Sequence, residues 1–403
     1  MDKNKKIALA KEINNRITSH IADIWPGFTP IPFIIYDDKN QVAVGTKWPE
    51  RYVHVQEDIW VADGADPQLF ACTVTIYHGV ITAIWDARTW PDNLNIAEAA
   101  GNIAHEMFHA FQHSFTSPGP NDLLLPQYPH SVPSVALVIE ENRLLSEIVE
   151  KPDFDSIHRC MEKIFALRKQ REIEIGADFI SYDNGCESYE GTSAYVEICM
   201  KAIIEGKSPF EAASSYLEYL NQNNNFLNHY RARCYASGLI LCLAADVICG
   251  KWQAEWMESG KTLFDWMKDK LTHTDAETPD MKAAAELLAT HQHEKEQKIS
   301  EFMANPMTSF EGAVQLVMFD PMNLVCAGGR CLHKHGKLRF GENEQLMATP
   351  FLIEYGDDIC DVKRVLIPNI VVNCDGSRMY VEGFGEMNGY VEESSSGIRC
   401  VIT

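Results

Sequence analysis

At 403 residues, 46% of them hydrophobic, the chain is long enough to bury more than one core and is expected to divide into two or three domains. Its formal charge of −22 repels nucleic acid and anionic membrane surfaces, and no basic patch with interleaved aromatics offsets it. No run of eighteen apolar residues is present, so no membrane partner is expected. Twelve cysteines without a C-x-x-C pair suit free thiols in a reducing, cytoplasmic setting.

The first element is a helix. Met1 to Lys6 is polar, and Ile7 to Ile24 follows at helical spacing with charges interspersed, unlike a signal peptide. Short strands such as Pro32 to Tyr36 come next. Thr73 to Tyr77 and Val80 to Trp85, flanking His78-Gly79, then read as a hairpin. From Leu94 to about Met303 the pattern is nearly all helical.

The first helix of that stretch has clear ends. Asn95 followed three residues later by Glu98 resembles a capping box, and Ser117-Pro118-Gly119-Pro120 stops it. Ile96, Ala100, Ile103, Met107 and Phe111 form an apolar stripe, while Asn102, His105, Glu106, His109 and His113 project from the other side. His105-Glu106-Met107-Phe108-His109 is an H-E-x-x-H run, which places two imidazoles one turn apart on one face, within reach of a single Zn²⁺ at about 2.1 Å. Glu106 lies between them, where a carboxylate takes the proton from a metal-bound water.

His113 lies about 12 Å along the axis from His105, too far to share the ion. A histidine six residues beyond His109 is also absent, since Phe115 stands there. The third ligand is therefore expected from a carboxylate elsewhere. Glu190 is the best candidate, with Glu187, Glu140, Glu141 and Glu147 as substitutes. Glu187, Glu190, Ala194 and Glu197 share one side of its helix, opposite Tyr195, Val196, Cys199, Met200 and Ile203. A glycine inside a helix costs about 1 kcal/mol relative to alanine, so Gly191 beside small Thr192, Ser193 and Ala194 implies a close helical neighbour. Val135 to Val149 and Ser156 to Ile175 read as helices within the separation of 81 positions between His109 and Glu190.

H-E-x-x-H with a downstream Glu190-Gly191-Thr192-Ser193-Ala194-Tyr195 resembles the gluzincin class of zinc metallopeptidases, and Ile103 to Gln112 is similar to the metal helix of poorly characterised bacterial members. The resemblance covers roughly residues 70 to 270, with further support from Arg168, Arg171 and the helix opened by Tyr235-Ala236-Ser237-Gly238. It implies that His105, His109 and Glu190 hold zinc and that Glu106 is the base. It further implies a peptide or small-molecule amide substrate, with the hairpin walling the cleft. Tyr235 is the candidate donor to the oxyanion. Ser193 stands where the family prefers alanine. Ala194 occupies the place of the aspartate that orients a ligand histidine, so Asp183 or Glu187 is expected to orient His105 instead. A catalytically silent binding or regulatory protein and a zinc hydrolase of a non-peptide amide are the rival readings.

After Pro306 strands return: Gln315 to Phe319, Pro350 to Glu354, Val362 to Val372 and Arg378 to Gly383 alternate with turns. The expected fold class is α+β. An N-terminal helix and small β-sheet region (1–93) precedes a mostly helical, zincin-like catalytic region (94–305), and a β-rich C-terminal domain (306–403) follows. Gly260-Lys261-Thr262 mimics the end of a phosphate loop, but Glu255 replaces the glycine it needs. Cys326, Cys331, His333 and His335 have the donors of a second zinc site but read as turn histidines and buried thiols.

Overall fold

The structure is a computed structural model. It describes residues 1–304 except 67, 70, 92, 116, 122–123, 125–127, 222–224, 229 and 272–278, and beyond 304 the backbone of nine strands. The chain is a mixture of helix and sheet, as α+β requires.

Helix α1 (Lys3–Ile24) opens the chain, its N-terminus capped by Asp2, which accepts from the Lys5 amide. Strands β1 (Phe33–Tyr36), β2 (Asn40–Val44), β3 (Val53–Gln56), β4 (Ile59–Asp63), β5 (Thr73–Tyr77) and β6 (Val80–Asp86) form one sheet in the order β3-β4-β2-β1-β6-β5. Only the β1–β6 pair is parallel. His78 and Gly79 both have positive φ (48° and 80°), as a two-residue turn between twisted strands demands, so the expected hairpin forms. Alternate residues separate the two faces. Phe33, Ile35, Val42 and Val44 face the helices, while Ile34, Tyr36 and Ala43 join Trp48, Tyr52 and Tyr77 in a second core.

The helical part begins with α2 (Ile96–Gln112), capped by Asn95, whose side chain accepts from the Glu98 amide. Helices α3 (Val132–Glu150), α4 (Phe154–Ile175) and α5 (Ala177–Cys186) follow, the first two matching the helices expected between the ligands. A single wide π turn, Glu187–Gly191, joins α5 to α6 (Thr192–Glu205). Short α7 (Pro209–Ala213), α8 (Glu218–Asn221) and α9 (Asn225–Asn228) lead to the long α10 (Tyr230–Cys249), then α11 (Gln253–Ser259) and α12 (Leu263–Lys268). Gly260, at φ 66°, closes α11, and Thr262 caps α12 by accepting from the Asp265 amide, which accounts for the phosphate-loop look-alike. Among the described residues α10 is the helix long and apolar enough in composition to cross a membrane, and 67% of that stretch is buried within the protein.

Residues 1–122, 131–226 and 230–281 form one compact unit. The segment 1–93 shares its core with the helices that follow it: Ile13, Ile17 and Phe33 belong to the same cluster as Ile103, Phe108 and Leu239. Trp25 sits at its centre, edge-on to Phe108 at 4.7 Å and to Trp252 at 5.3 Å. A second unit comprises 123–130, 227–229 and 282–403. Its main elements are α13 (Met281–Ala304) and nine strands between Val314–Val317 and Gly397–Ile402 that pair antiparallel. Cys326, Cys331, His333 and His335 lie outside the described residues. The seven described cysteines are free thiols.

A buried ionic cluster ties the helices together. Arg168 and Arg171 of α4 and Arg233 of α10 meet Glu141 of α3, Asp183 of α5 and Glu187 of the π turn, each at most 1% exposed. Arg168 pairs with Glu141 and, bidentately, with Glu187 at 2.5 and 2.9 Å, and its guanidinium lies 4.2 Å over the Phe264 ring. Arg171 bridges Glu141 at 2.7 Å and Asp183 at 2.6 Å, and Arg233 reaches Glu141 at 3.1 Å. Burial opposes a charge on Glu141, but its three arginines outweigh that and hold its carboxyl well below the usual carboxylate range. A carboxyl whose pKa is depressed by folding contributes stability above about pH 4.3, its unfolded value, and loses that contribution as pH falls. Glu141→Gln is therefore expected to destabilise this unit by about 3–5 kcal/mol at pH 7. In denaturant titrations the gap between variant and parent should narrow steadily from pH 5 towards pH 2.

Candidate metal centre

Helix α2 supplies two imidazoles because His105 and His109 are four residues apart, and the third group comes from α2's neighbour in space. Helices α2 and α6 pack closely at Gly101, where a Cβ would lie 2.9 Å from the Glu197 carbonyl oxygen. The chain entering α6 crosses α10 closer still. A Cβ on Gly191 would sit 2.3 Å from the Gly238 Cα, and one on Gly238 would meet the Glu187 carbonyl oxygen at 2.5 Å. This is the near approach that small residues around Gly191 imply. The π turn at this crossing widens the backbone, and hydroxyls satisfy it: Ser188 donates to Asn184 O at 2.7 Å and Thr192 to Ser188 O at 2.7 Å.

The result is a buried group of His105, His109 and Glu190 that can hold a metal ion, one donor atom from each lying within 4.8 Å of the others. Glu190 Oε2 stands 3.7 Å from His105 Nε2 and 3.3 Å from His109 Nε2. Donors at about 2.1 Å from a tetrahedrally bound ion are separated by about 3.4 Å, so these spacings fit. The donor set, two imidazole nitrogens and a carboxylate oxygen, suits zinc and its neighbours in the first transition row.

Both imidazoles are oriented from behind. His105 Nδ1 donates to Glu197 Oε2 at 3.1 Å, and Tyr216 donates to the same oxygen at 3.1 Å. His109 Nδ1 faces Gln112 Oε1 at 2.8 Å and Ser193 Oγ at 3.2 Å. Gln112 is itself locked, since its amide donates to Tyr189 O at 2.6 Å and to Thr192 Oγ1 at 2.9 Å. With each Nδ1 engaged outward, each Nε2 is left facing Glu190, the tautomer a metal ligand needs. Aromatic rings fix the tilt: Tyr235 stacks on His105 at 5.8 Å and 13°, and Tyr189 on His109 at 4.5 Å and 21°.

Charge is concentrated here. Burial disfavours the cationic form of His105, but Glu190, Glu197 and Glu106 outweigh it and push the pKa up to about 10. A cation entering the group takes the place of that proton. Burial likewise opposes charge on Glu190, yet Arg231 and the two imidazoles hold its carboxyl well below the usual range. Glu106, only 8% exposed, is raised by burial, against the pull of His105 and His109. Burial and the nearby Glu190 carboxylate keep the Tyr235 phenol protonated. Strand β5, at the edge of the sheet, packs beside α2.

His105, Glu106, His109, Glu190 and Tyr235 are thus brought together, and His113 is exposed at the end of α2. The expected orienting groups for His105 are corrected: Asp183 and Glu187 are turned into the ionic cluster, and Glu197, seven residues beyond Glu190, takes that place. The substitute ligands are also engaged elsewhere, Glu141 and Glu187 with buried arginines, Glu140 and Glu147 with Arg143. Arg168 and Arg171 belong to that cluster rather than to the metal site. Sequence reasoning missed Glu197, Gln112, Tyr189 and Arg231. Of these only Glu197 left a signal, two helical turns beyond the ligand carboxylate.

No protein-family model, curated protein or solved structure matches this chain.

Glu197→Gln is expected to weaken metal binding about 10–100-fold in chelator competition, with thermal unfolding of the metal-free protein little changed. Gly238→Ala forces the crossing apart. It should cost about 1–3 kcal/mol in denaturant unfolding and lower metal affinity together with stability, since Glu190 rides on the displaced turn.

Proposed function

We propose that this chain is a zinc-dependent hydrolase, a metallopeptidase of the gluzincin kind cleaving peptide or related amide bonds. The observation that carries this reading is the convergence of His105 Nε2, His109 Nε2 and Glu190 Oε2 in a buried pocket, with Glu106 beside them. When bound, zinc would polarise a carbonyl and raise the acidity of a water.

The chain's own residues supply the remaining steps. Glu106 accepts the attacking water's proton and returns it to the leaving nitrogen, a shuttle suited to a carboxyl whose pKa burial has raised. Tyr235 retains its proton beside the site and donates to the oxygen on which negative charge develops. Glu197, Gln112 and Ser193 keep both imidazoles aimed inward. Strand β5, at the sheet edge next to α2, offers unpaired backbone groups to an extended substrate. The acidic surface argues against nucleic-acid partners, and the free thiols favour a cytoplasmic setting. A silent binding protein is the weaker reading, because a purely structural ion gives no reason to bury Glu106 next to it.

Purified protein should contain close to one zinc per chain by elemental analysis. Glu106→Gln should keep that metal and the fold while hydrolysis of a fluorogenic peptide library falls about 10²–10⁴-fold. A metal-replete parent with no turnover on peptides or small amides would favour the silent reading.

A further inference from the structure

The third ligand is gripped from behind by a cation. Arg231, on the first turn of α10 and 14% exposed at its side chain, forms an ion pair with Glu190 through NH2 and Oε1. The other oxygen of the same carboxylate, Oε2, is the one that faces both histidines, at 3.3 and 3.7 Å. The two oxygens of Glu190 are therefore divided between two partners. We propose that Arg231 is a positioning residue that holds Glu190 to one-oxygen attachment and so keeps the rest of the ion's coordination sphere open for water and substrate. This rests on the reading of the site as a metal centre.

The argument is geometric. A carboxylate offered to a small divalent ion attaches through one oxygen or through both, and two-oxygen attachment fills a position that a catalytic ion must leave free. Rotation of the Glu190 carboxyl about its last side-chain bond is soft, so it has to be restrained by what the carboxyl touches. The guanidinium holds the carboxylate oxygen that does not face the imidazoles, which opposes that rotation. The pairing also fits the surrounding charge. Glu106, Glu190 and Glu197 place three carboxyls around two imidazoles, and Arg231 is the cation that balances the third ligand. The large ionic cluster does not serve this purpose, since its arginines are engaged by Glu141, Asp183 and Glu187.

The test uses the full-length protein loaded with Co²⁺, whose visible absorption is intense in four-coordinate sites and weak when a further ligand is added. Arg231→Met, Arg231→Lys and Glu197→Gln are compared with the parent by that spectrum and by zinc affinity in chelator competition, with circular dichroism monitoring the fold. Arg231→Met is expected to weaken the visible bands, as both Glu190 oxygens attach, and to change zinc affinity. Arg231→Lys should restore the parent spectrum at least in part, which a merely structural role would not do. Glu197→Gln should weaken affinity while leaving the bands intact. Spectra of Arg231→Met and parent that superimpose, with equal zinc affinity, would overturn the clamp and leave the metal centre standing. A parent that takes up neither Co²⁺ nor Zn²⁺ would overturn both.

Discussion

Two backbones cross at Gly191 and Gly238 with no side chain between them, and the location of Glu190 follows from that crossing. Each glycine inside a helical segment costs about 1 kcal/mol, and the π turn gives up regular hydrogen bonding as well. The approach brings the π turn within reach of Ser237, which donates to Glu187 at 2.6 Å, and brings Arg231 and Tyr235 to Glu190. A regular helix through residues 187–197 would put Glu187, Glu190 and Glu197 along one stripe. The wide turn separates them, sending Glu187 to the arginines and leaving Glu190 and Glu197 with the histidines.

Two charged assemblies therefore lie on either side of one short turn, and they behave differently. The inner one is neutral in sum, with three arginines against three carboxylates, all deprived of water. Such a cluster adds little net stability over an apolar core of equal volume but penalises heavily the loss of any member. The outer one carries an excess of carboxyls around two imidazoles, with Arg231 as partial compensation. A divalent cation held by His105, His109 and Glu190 would offset that excess.

How much of this could be read from the sequence depended on how local each relation is. The H-E-x-x-H spacing and the small residues at 191–194 encode their geometry within one or two turns, so His105, His109, Glu190 and the close helical neighbour were all legible. The hairpin at His78-Gly79 and the caps at Asn95 were legible for the same reason. Arg231 was not, because its contact with Glu190 spans 41 residues and depends on how α10 crosses the π turn. Glu197 fell on the expected acidic face, yet the irregular turn broke the periodicity that would have ranked it above Asp183 and Glu187. Tyr235 was anticipated as a donor to substrate. Its stacking on His105 adds a supporting duty that no local pattern carries.

The neutral cluster has a bearing on how the chain reaches its native state. Its six members come from α3, α4, α5, the π turn and α10, and α4, which carries two of the arginines, has its charge balanced only when two of the acidic segments dock against it together. Docking α4 against a single acidic segment strands an arginine away from water, which penalises that arrangement. Glu187 of that cluster and Glu190 of the candidate metal group share one π turn, so the packing that seats the arginines also sets the place of Glu190.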